Sequence, residues 1–249
     1  MHLVALSSVD STNSEAQRRW LAGYPAPDPA ATAMAVVAEV QTAGQGRTGR
    51  SWQSPRGGLW LSVAWPMRGS PDAYQPLPLA VGLATAHAIQ ACGNIVPFIK
   101  WPNDLLIHEK KVAGILCQAH PNWPNPAVIL GVGINANFEP EALGQPLRQP
   151  ATTLQHEIHH PIDLQTLQNR LLENLEHHLA ILDRGDFAEL LLPQIRPRLA
   201  WLGQRVRCGP EAGEAAVEGR FIGVDDIGQA LIKTSLGLKA FCADELRRV

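Results

Sequence analysis

The segment that most restricts the fold of this chain is a glycine- and arginine-rich stretch, Gln41–Trp52, directly after the apolar run Ala33–Val40. A short apolar run rich in valine predicts a buried strand. The three glycines that follow free the backbone to curl, so several N–H groups can point at one anion. Arg47 and Arg50 add planar guanidinium groups that match phosphate or carboxylate oxygens. The stretch therefore predicts an anion-binding loop after a strand.

The spacing of Gly44, Gly46 and Gly49 also matches the dinucleotide fingerprint G-x-G-x-x-G. That fingerprint has to open a helix, whose N-terminus holds the pyrophosphate. Here Ser54-Pro55 and two adjacent glycines follow, which do not continue as a helix, and no Gly-Lys-Ser or Gly-Lys-Thr completes a P-loop. The pattern argues against both nucleotide folds. A flexible surface loop stays open as the alternative to an anion site.

Polar residues also stand beside two further predicted strands, at the end of one and at the start of the other. Lys100–Asp104 follows a short apolar strand, and its Lys, Asn and Asp suit phosphate, polar-ligand and Mg²⁺ contacts respectively. A capped turn would use the same residues. Lys111 begins the next apolar strand, which predicts an ammonium group at the edge of a partly buried pocket. There it would stabilise a developing negative charge.

Two glycines interrupt the apolar strand Gly131–Ile134, which Asn135 follows. Glycine weakens a strand unless a bulge, a ligand or another backbone requires its small size. Asn135 offers both a donor and an acceptor to such a ligand. A simple bulge and the floor of a binding site are both compatible with this segment.

The remaining periodicities predict an α+β fold that mixes helices with mostly antiparallel strands. Thr12 and Glu15 fit a capping box at the start of a helix that runs to about Leu21. Two longer helices are predicted over Leu77–Cys92 and Asp163–Leu182. Strands are predicted over His2–Leu6, Ala33–Val40, Leu59–Trp65, Val96–Lys100, Leu105–Ile107, Val112–Gln118 and Ala127–Ile134, with a hairpin turn at Glu109-Lys110.

The character of the sequence changes at Pro193–Pro197. Short strands separated by Gly and Asp turns follow, and they predict a small β-barrel. We therefore expect a larger first domain over residues 1–192 and a barrel domain over 198–249. The predicted strands are Arg205–Cys208, Ala216–Val224, Ala230–Thr234 and Lys239–Ala243.

Composition excludes several classes of protein. The net charge is −2, and the chain has only two tyrosines and five phenylalanines, which argues against a nucleic-acid-binding module. The four cysteines are far apart, as expected for free thiols of a cytoplasmic protein. We expect no secretory signal and no membrane span, because no apolar run approaches the roughly 18–20 residues that a bilayer requires.

Together these segments resemble the biotin–protein ligases. The family's elements occur in order as Asp10–Asn13, Gln41–Trp52, Lys100–Asp104, Lys111–Leu116 and Gly131–Asn135. The resemblance implies a class II synthetase-like mixed sheet with helices and an SH3-like C-terminal β-barrel. It also implies that biotin and ATP form biotinyl-5′-AMP with Mg²⁺. A lysine of a biotin carboxyl carrier protein domain, as in acetyl-CoA carboxylase, then takes the biotinyl group.

The resemblance also assigns roles to individual residues. It gives catalysis to Lys111, Arg47 and Asp104, with Asp104 assisting Mg²⁺ or the attacking amine. The nucleotide side would comprise Arg47, Arg50, Trp52, Lys100, Asn103 and Asn135. The biotin pocket would comprise Ser11, Thr12, Asn13, Gln41, Gly44, Gln45, Gly46, Arg47, Lys111, Gly114, Ile115, Gly131 and Gly133.

Two residues depart from the family pattern. Gln45 stands where family loops usually read Gly-Arg-Gly, so one phosphate-side cation is missing, and Thr48 stands at a position that varies within the family. Only ten residues precede Ser11, so we expect no helix-turn-helix and no specific DNA binding. A homodimer is possible if the strand Ala127–Ile134 lies at a sheet edge. The alternatives are a lipoate–protein ligase, a nucleic-acid-binding module, and an inactive ligand-binding regulator.

Overall fold

The structure is a computed structural model that describes residues 1–23, 33–144, 147–209, 216–242 and 244–249. A seven-stranded sheet has the order β1-β2-β3-β7-β6-β5-β4. Strands β1 and β2 pair in parallel and the other neighbours pair antiparallel, which confirms the mixed α+β fold. The strands are β1 (His2–Leu6), β2 (Met34–Ala38), β3 (Leu59–Pro66), β4 (Phe98–Lys100), β5 (Asp104–Ile107), β6 (Lys110–His120) and β7 (Ala127–Ile134).

Strand β7 is central in this sheet, because it pairs with β3 on one side and β6 on the other. All its backbone N–H and C=O groups are therefore directed at strands of the same chain. The expectation that Ala127–Ile134 could pair between subunits at an edge is wrong. In the sheet as described, β1 and β4 are the outer strands.

Helices cover both faces of the large sheet. Helix α2 packs against α4 on one face and α1 packs on the other. Almost all of α2 is apolar because it is enclosed by the sheet and α4. The helices are α1 (Thr12–Leu21), α2 (Leu77–Gly93), α3 (Leu154–Ile158), α4 (Leu164–Asp183) and α5 (Leu192–Ile195). The predicted long helices are thus confirmed to within one residue at each end.

The β5–β6 hairpin was predicted correctly, but its turn lies one residue earlier than expected. His108 and Glu109 have φ angles of 47° and 65°, which is the left-handed geometry of a type I′ turn. A bulge follows, since Asp104 pairs with Gly114 whereas Leu106 pairs with Lys111. Bulges re-aim side chains, and this one brings Lys111 to the same face of the sheet as Gly114.

The C-terminal residues form a second, five-stranded antiparallel sheet of order β11-β10-β9-β8-β12. The short strands were therefore predicted correctly in kind, although β12 was missed and the end of the predicted strand at Ala243 lies outside the described residues. The strands are β8 (Arg205–Gly209), β9 (Val217–Val224), β10 (Ala230–Thr234), β11 (Gly237–Phe241) and β12 (Glu245–Arg248).

The two sheets share one hydrophobic core. Phe221 and Ile232 of the second sheet belong to the same buried cluster as α2 and α4. The Trp101 indole N–H donates to the carbonyl of Gly228 at 2.9 Å, which fixes the β4–β5 junction against the second sheet. A division into domains 1–192 and 198–249 stays a prediction.

Two expectations from composition can be compared with the structure. The four cysteines are free, as predicted from their spacing. Burial raises the pKa of the Cys208 thiol to about 12, so this group stays protonated at neutral pH. Within the described ranges, no helix has both the length and the apolar composition needed to cross a bilayer.

Candidate active site

A cavity of about 1000 Å³ lies where the start of α1, the Gln41–Trp52 loop, β6 and β7 meet the rim of the second sheet. It is lined by every residue that the sequence assigned to biotin, nucleotide or catalysis, with the exception of Gly44. The five separate segments of the sequence are therefore brought together around one space.

The Gln41–Trp52 loop folds back on itself as a short antiparallel ladder. Gln45 is bridged to Ser51, and the N–H of Gly46 donates to the carbonyl of Arg50 at 2.7 Å. The tip is a single 3₁₀ turn over Arg47–Gly49. Because no α-helix begins here, the G-x-G-x-x-G spacing does not form a dinucleotide site, as predicted.

Gly44 shapes this loop from outside the cavity. A Cβ atom at this position would clash with the carbonyl oxygen of Trp52 and the hydroxyl of Ser54. The Trp52 N–H donates to the Gly44 carbonyl at 2.8 Å, so the two chain segments run in direct contact. Glycine is required here by close approach of the backbone.

Helix α1 presents its first residues to the cavity. The N-cap is Ser11, which has an extended backbone and whose hydroxyl accepts from the Ser14 N–H at 3.5 Å. The predicted capping box of Thr12 and Glu15 is therefore wrong. Glu15 instead pairs with arginines of the same helix, which leaves the Thr12 side chain to face the sheet.

Thr12 and Asn13 belong to a buried polar cluster. The side-chain oxygen of Gln41 accepts from the Thr12 N–H at 2.7 Å and from its hydroxyl at 3.0 Å. Ser62 donates to Asn13 Oδ1 at 2.6 Å, and Gln118 accepts from Asn13 Nδ2 at 3.2 Å. Ser62 and Gln118 were not predicted as site residues from the sequence. A serine within the apolar run of β3 was the available signal, because buried polar groups require partners.

Three glycines form a floor on one face of the sheet. Gly114 of β6 is paired with Gly133 of β7, and Gly131 lies two residues earlier on the same face. A Cβ on Gly131 would clash with Asn13 Oδ1, and one on Gly133 would lie 2.6 Å from Nε1 of Trp52. Side chains thus approach the bare backbone closely at each position.

Ile115 was also predicted to form this floor, but its side chain does not face the cavity. Its side chain faces the opposite side of the sheet and packs near Gly82 of α2 in the main core. Only its backbone takes part in the site, since the Ile115 N–H donates to the Asn103 carbonyl at 2.9 Å. Side chains alternate along a strand, so Gly114 and Ile115 cannot both face the cavity.

Trp52 lies on the glycine floor rather than on the nucleotide side alone. The Lys111 ammonium is 4.9 Å from its ring centroid, within the range of a cation–π contact. Its indole Nε1 is buried without a hydrogen-bond partner among the described residues. An unpaired buried donor is costly, so this group is available to a ligand acceptor.

A compact cluster of charges lies beside Trp52. Lys111 Nζ is 2.6 Å from Asp104 Oδ1, and Lys100 Nζ is 3.7 Å from Oδ2 of the same carboxylate. Gln149, which the sequence analysis missed, accepts from Lys100 at 2.6 Å and donates to Asp104 at 2.8 Å. Lys100 also lies 5.4 Å from the ring centroid of Trp201.

Burial and charge act in opposite directions on this cluster. Burial alone would raise the pKa of Asp104, but the ammonium groups of Lys111 and Lys100 and the hydrogen bonds it accepts lower that pKa below its usual range. Burial lowers the pKa of Lys100, and Asp104 partly offsets this effect. Asp104 is therefore an anion held between two cationic side chains at neutral pH.

This arrangement does not fit a magnesium ion bound at Asp104. One carboxylate oxygen accepts from Lys111 and the other from Gln149, and the two ammonium groups would repel a divalent cation. Across the part of the chain that the structure describes, no three His, Cys, Asp or Glu side chains are grouped as metal ligands. These contacts do not support the predicted role of Asp104 as a Mg²⁺ ligand.

Arg47 extends from the loop toward the same cluster. Its guanidinium donates to Asn103 Oδ1 at 2.9 Å, and Asn103 Nδ2 donates to the Ile115 carbonyl at 2.8 Å. Burial lowers the pKa of Arg47, an effect that nearby Asp104 opposes. Asn103 therefore anchors Arg47 to the middle of β6, whereas the sequence assigned Asn103 to the nucleotide side.

Arg50 and Gln45 tie the loop to its surroundings. Arg50 forms an ion pair of 3.3 Å with Glu245, a residue of β12 that the sequence analysis missed. Gln45 Nε2 donates to the Ser14 hydroxyl of α1 at 3.2 Å. The loop is thus held between α1 and the second sheet. Glu245 belongs to no local sequence motif, so this contact becomes apparent only in the tertiary structure.

Asn135 sits at the end of β7 and is almost fully buried. Its Nδ2 donates to the Thr152 carbonyl at 3.0 Å, whereas its Oδ1 has no partner among the described residues. The Nδ2 group of Asn135 therefore holds the backbone at Thr152. The acceptor half of the amide is available to a ligand in the cavity, whereas the predicted donor is used within the protein.

The site joins an uncharged polar cluster and glycine floor to a charged region with Lys111, Lys100, Arg47 and Arg50. Buried uncharged groups that alternate donors and acceptors suit a small polar ring. Cations that converge nearby suit the approach of two anions, such as a carboxylate and a phosphate. The geometry therefore supports anhydride formation between them.

Comparison with known proteins agrees with this geometry. The Biotin/lipoate A/B protein ligase family matches residues 10–135. A biotin–[acetyl-CoA-carboxylase] ligase of Paracoccus denitrificans is 32% identical over 97% of this chain and 98% of its own length. A bifunctional ligase/repressor of Bacillus subtilis is 30% identical over 96% of this chain and 71% of its own length.

Solved structures show the same fold over the whole chain. The biotin protein ligase of Aquifex aeolicus in complex with biotin and ATP superposes with a TM-score of 0.82 and 30% identity. The match covers 100% of this chain and 99% of that protein. The chain belongs to the Biotin/lipoate A/B protein ligase family, and its full-length relatives place it among the biotin-ligating enzymes of that family.

Proposed function

We propose that the protein catalyses two successive reactions in this cavity. In the first, the biotin carboxylate attacks the α-phosphorus of ATP, which forms biotinyl-5′-AMP and expels pyrophosphate. In the second, a lysine amine of a biotin carboxyl carrier domain attacks the anhydride carbonyl, and AMP leaves. The Lys111–Asp104 pair, placed between the glycine floor and the arginine-bearing loop, is the observation that carries the proposal.

The polar cluster is proposed to bind the ureido ring of biotin. Thr12 is held by Gln41, and Asn13 is held by Ser62 and Gln118, so little side-chain entropy is lost when they meet the ring. Gly131 and Gly133 let the ring system approach the sheet. Loop backbone at Gly44 to Gly46 completes this end of the pocket.

In the first reaction, Lys111 is proposed to bind the biotin carboxylate and then the oxygens of the acyl-phosphate group that forms from it. A preorganised cation stabilises the charge that develops there. Arg47 and Arg50 would bind phosphate oxygens, and Trp52 and Asn135 offer an unpaired donor and acceptor, respectively. In this proposal Mg²⁺ accompanies the triphosphate, with no ligand assigned to it from the protein.

In the second reaction, Asp104 is proposed to receive the proton that the attacking lysine amine loses. A new C–N bond forms as the C–O bond to phosphate breaks, and its electron pair leaves with AMP. The loop around Arg47 would cover the adenylate before transfer, because water would hydrolyse the anhydride.

Incubation with biotin, ATP and an apo carrier domain of acetyl-CoA carboxylase tests the proposal. Covalent biotin on the carrier lysine, dependent on ATP, is the expected result. A parallel reaction with lipoate and its carrier domain tests the alternative substrate of the same family. Label from lipoate but not from biotin would reassign the substrate, and the absence of label in both would refute the ligase function.

The partners are part of the same proposal. The name of the Paracoccus relative supports a carboxylase carrier domain as the substrate. Sedimentation of the free protein and of the biotinyl-AMP complex tests for a homodimer. The absence of specific DNA binding stays a prediction, and a gel shift with a biotin-operon operator that resists added salt would contradict it.

A further inference from the structure

Gln149 lies at the centre of the charge cluster, although its segment, residues 147–151, has no regular secondary structure of its own. Its side-chain oxygen accepts from Lys100 Nζ at 2.6 Å, and its Nε2 donates to Asp104 Oδ2 at 2.8 Å. Lys100 and that carboxylate oxygen are 3.7 Å apart. Gln149 therefore lies closer to Lys100 and to Asp104 than these two groups lie to each other, and it keeps their ion pair beyond hydrogen-bond distance.

Backbone contacts fix this segment to the strand that carries Lys111. The Lys111 N–H donates to the Pro150 carbonyl at 2.8 Å, and the Thr152 N–H donates to the Lys111 carbonyl at 2.9 Å. Lys111 and Ala151 thus form a parallel bridge. Gln149 is positioned by the same strand start whose ammonium group binds the other oxygen of Asp104.

The two carboxylate oxygens of Asp104 retain acceptor positions that no close donor occupies. Each carboxylate oxygen has two acceptor positions, and each has one close donor, Lys111 on Oδ1 and Gln149 on Oδ2. One position on each oxygen is left for an incoming amine. If Lys100 closed the 3.7 Å gap, a second cation would hold the carboxylate and compete with that amine.

We infer that Gln149 is a positioning residue for the transfer step, where it keeps Lys100 off Asp104 and leaves the carboxylate accessible to the carrier lysine. This inference rests on the proposed ligase function. In the proposed reaction Gln149 does not touch biotin or the nucleotide. Its loss should therefore affect a rate more than substrate binding.

The test measures the two half-reactions separately. Gln149→Met keeps the length of the side chain and removes both hydrogen bonds. We expect transfer from preformed biotinyl-AMP to an apo carrier domain to slow by about 10- to 100-fold, the cost of misplacing a reacting group by about 1 Å. Adenylation and the KM values for biotin and ATP should stay within about threefold of the parent values.

Two further variants make the result specific. Gln149→Glu retains the acceptor that holds Lys100 and loses only the donor to Asp104, so we expect it to slow transfer less than Gln149→Met. In a Lys100→Met background, Gln149→Met should cost less than about threefold, because the competing cation is gone. Gln155→Met, on α3 and outside the cavity, serves as the control and should behave as the parent protein.

Equal slowing of both half-reactions, or additive effects of the Lys100 and Gln149 variants, would overturn the inference. Thermal unfolding of each variant distinguishes these outcomes from loss of the fold. If the parent protein fails to label the carrier, the proposed function itself is refuted. If the parent is active and Gln149→Met transfers at the parent rate, only the role of Gln149 is refuted.

Discussion

The ammonium nitrogen of Lys111 lies 2.6 Å from Oδ1 of Asp104, so the free enzyme already pairs the two groups proposed for its successive reactions. An arriving substrate carboxylate would compete with Asp104 for this cation. Binding of biotin would therefore loosen Asp104 from Lys111 before the carrier amine arrives. The pair offers a physical reason for the order of the two reactions.

Lys111→Ala is expected to lower the single-turnover rate of adenylation by roughly 10²–10³-fold, the scale of losing one charge-stabilising donor. Rapid quench measurement of pyrophosphate release provides the rate. Lys110→Ala is the matched control, because Lys110 is adjacent but pairs with Glu157 at 3.6 Å instead of Asp104. An unchanged rate in Lys111→Ala would remove Lys111 from the mechanism.

Biotinyl-AMP is expected to protect the Gln41–Trp52 loop from trypsin. Thr48–Arg50 at its tip is exposed in the free protein, and phosphate oxygens would hold Arg47 and Arg50 when the ligand binds. Cleavage after these arginines, followed by mass spectrometry, should slow in the complex. Cleavage after the exposed Arg184 serves as the internal control. Equal protection at both sites would indicate general stabilisation without closure of the loop.

Glu245→Gln should increase cleavage after Arg50 in the ligand-free protein by about 1.4- to 5-fold. Burial acts to raise the pKa of Glu245, but Arg247 and Arg50 lower it to about 2, so the pair persists at neutral pH. A partly exposed ion pair contributes about 0.2–1 kcal/mol, which sets this range. Glu218→Gln, which breaks a pair with Arg205 on the same sheet, should leave this cleavage unchanged.

Gly131→Ala is expected to weaken biotin binding by roughly 5- to 150-fold, because the new methyl group would displace Asn13 and break its bond to Ser62. The range follows from the about 1–3 kcal/mol cost of an unsatisfied buried polar group. Calorimetric titration with biotin measures it. Gly69→Ala adds a methyl group that meets the Asp183 carbonyl oxygen at 3.9 Å, an ordinary contact, and should bind as the parent does. Parent-like affinity in Gly131→Ala would place biotin elsewhere.

His178 on α4 is expected to make stability depend on pH. Burial, with smaller effects from His87 and His177, lowers its pKa from 6.5 to about 4, and its Nδ1 is buried without a partner among the described residues. The unfolded chain therefore binds the proton more tightly. The stabilising contribution is complete above pH 6.5 and is lost as the pH falls toward about 4.

Urea unfolding at several pH values tests this expectation. The shift corresponds to a loss on the order of 3 kcal/mol at its acid limit. His178→Leu removes the titrating group, so its free energy of unfolding should change less between pH 7 and pH 5 than that of the parent. Parallel pH profiles for the two proteins would show that other groups control acid unfolding.

Local sequence was sufficient for most of the fold and for one half of the site. The helix over 164–183 has clear periodicity, the helix over 77–93 is a long apolar segment that ends at Gly93, and Gly44 in the loop is required by close contacts within ten residues. The start of α1 was misjudged because Ser11 and Thr12 can both cap a helix. Only the bond from Thr12 to Gln41, 29 residues away, decides between them.

The residues that the sequence did not reveal share one property. Gln149, Glu245 and Gln118 meet their partners across 45, 195 and 105 residues of chain. Each is an ordinary polar residue whose neighbours in sequence carry no motif. Their roles depend on sheet register and on the junction of the two sheets, which a single sequence does not encode at short range.

The position of Trp52 on the glycine floor also matters for engineering. The floor is bare backbone and cannot be lowered further, and the Trp52 ring lies in contact with it at Gly114 and Gly133. Trp52→Ala would uncover this backbone and open space above it while the polar cluster of Thr12 and Asn13 stays intact. A biotin analogue with added bulk would then fit the variant and be rejected by the parent, which yields an orthogonal enzyme–substrate pair for selective protein labelling.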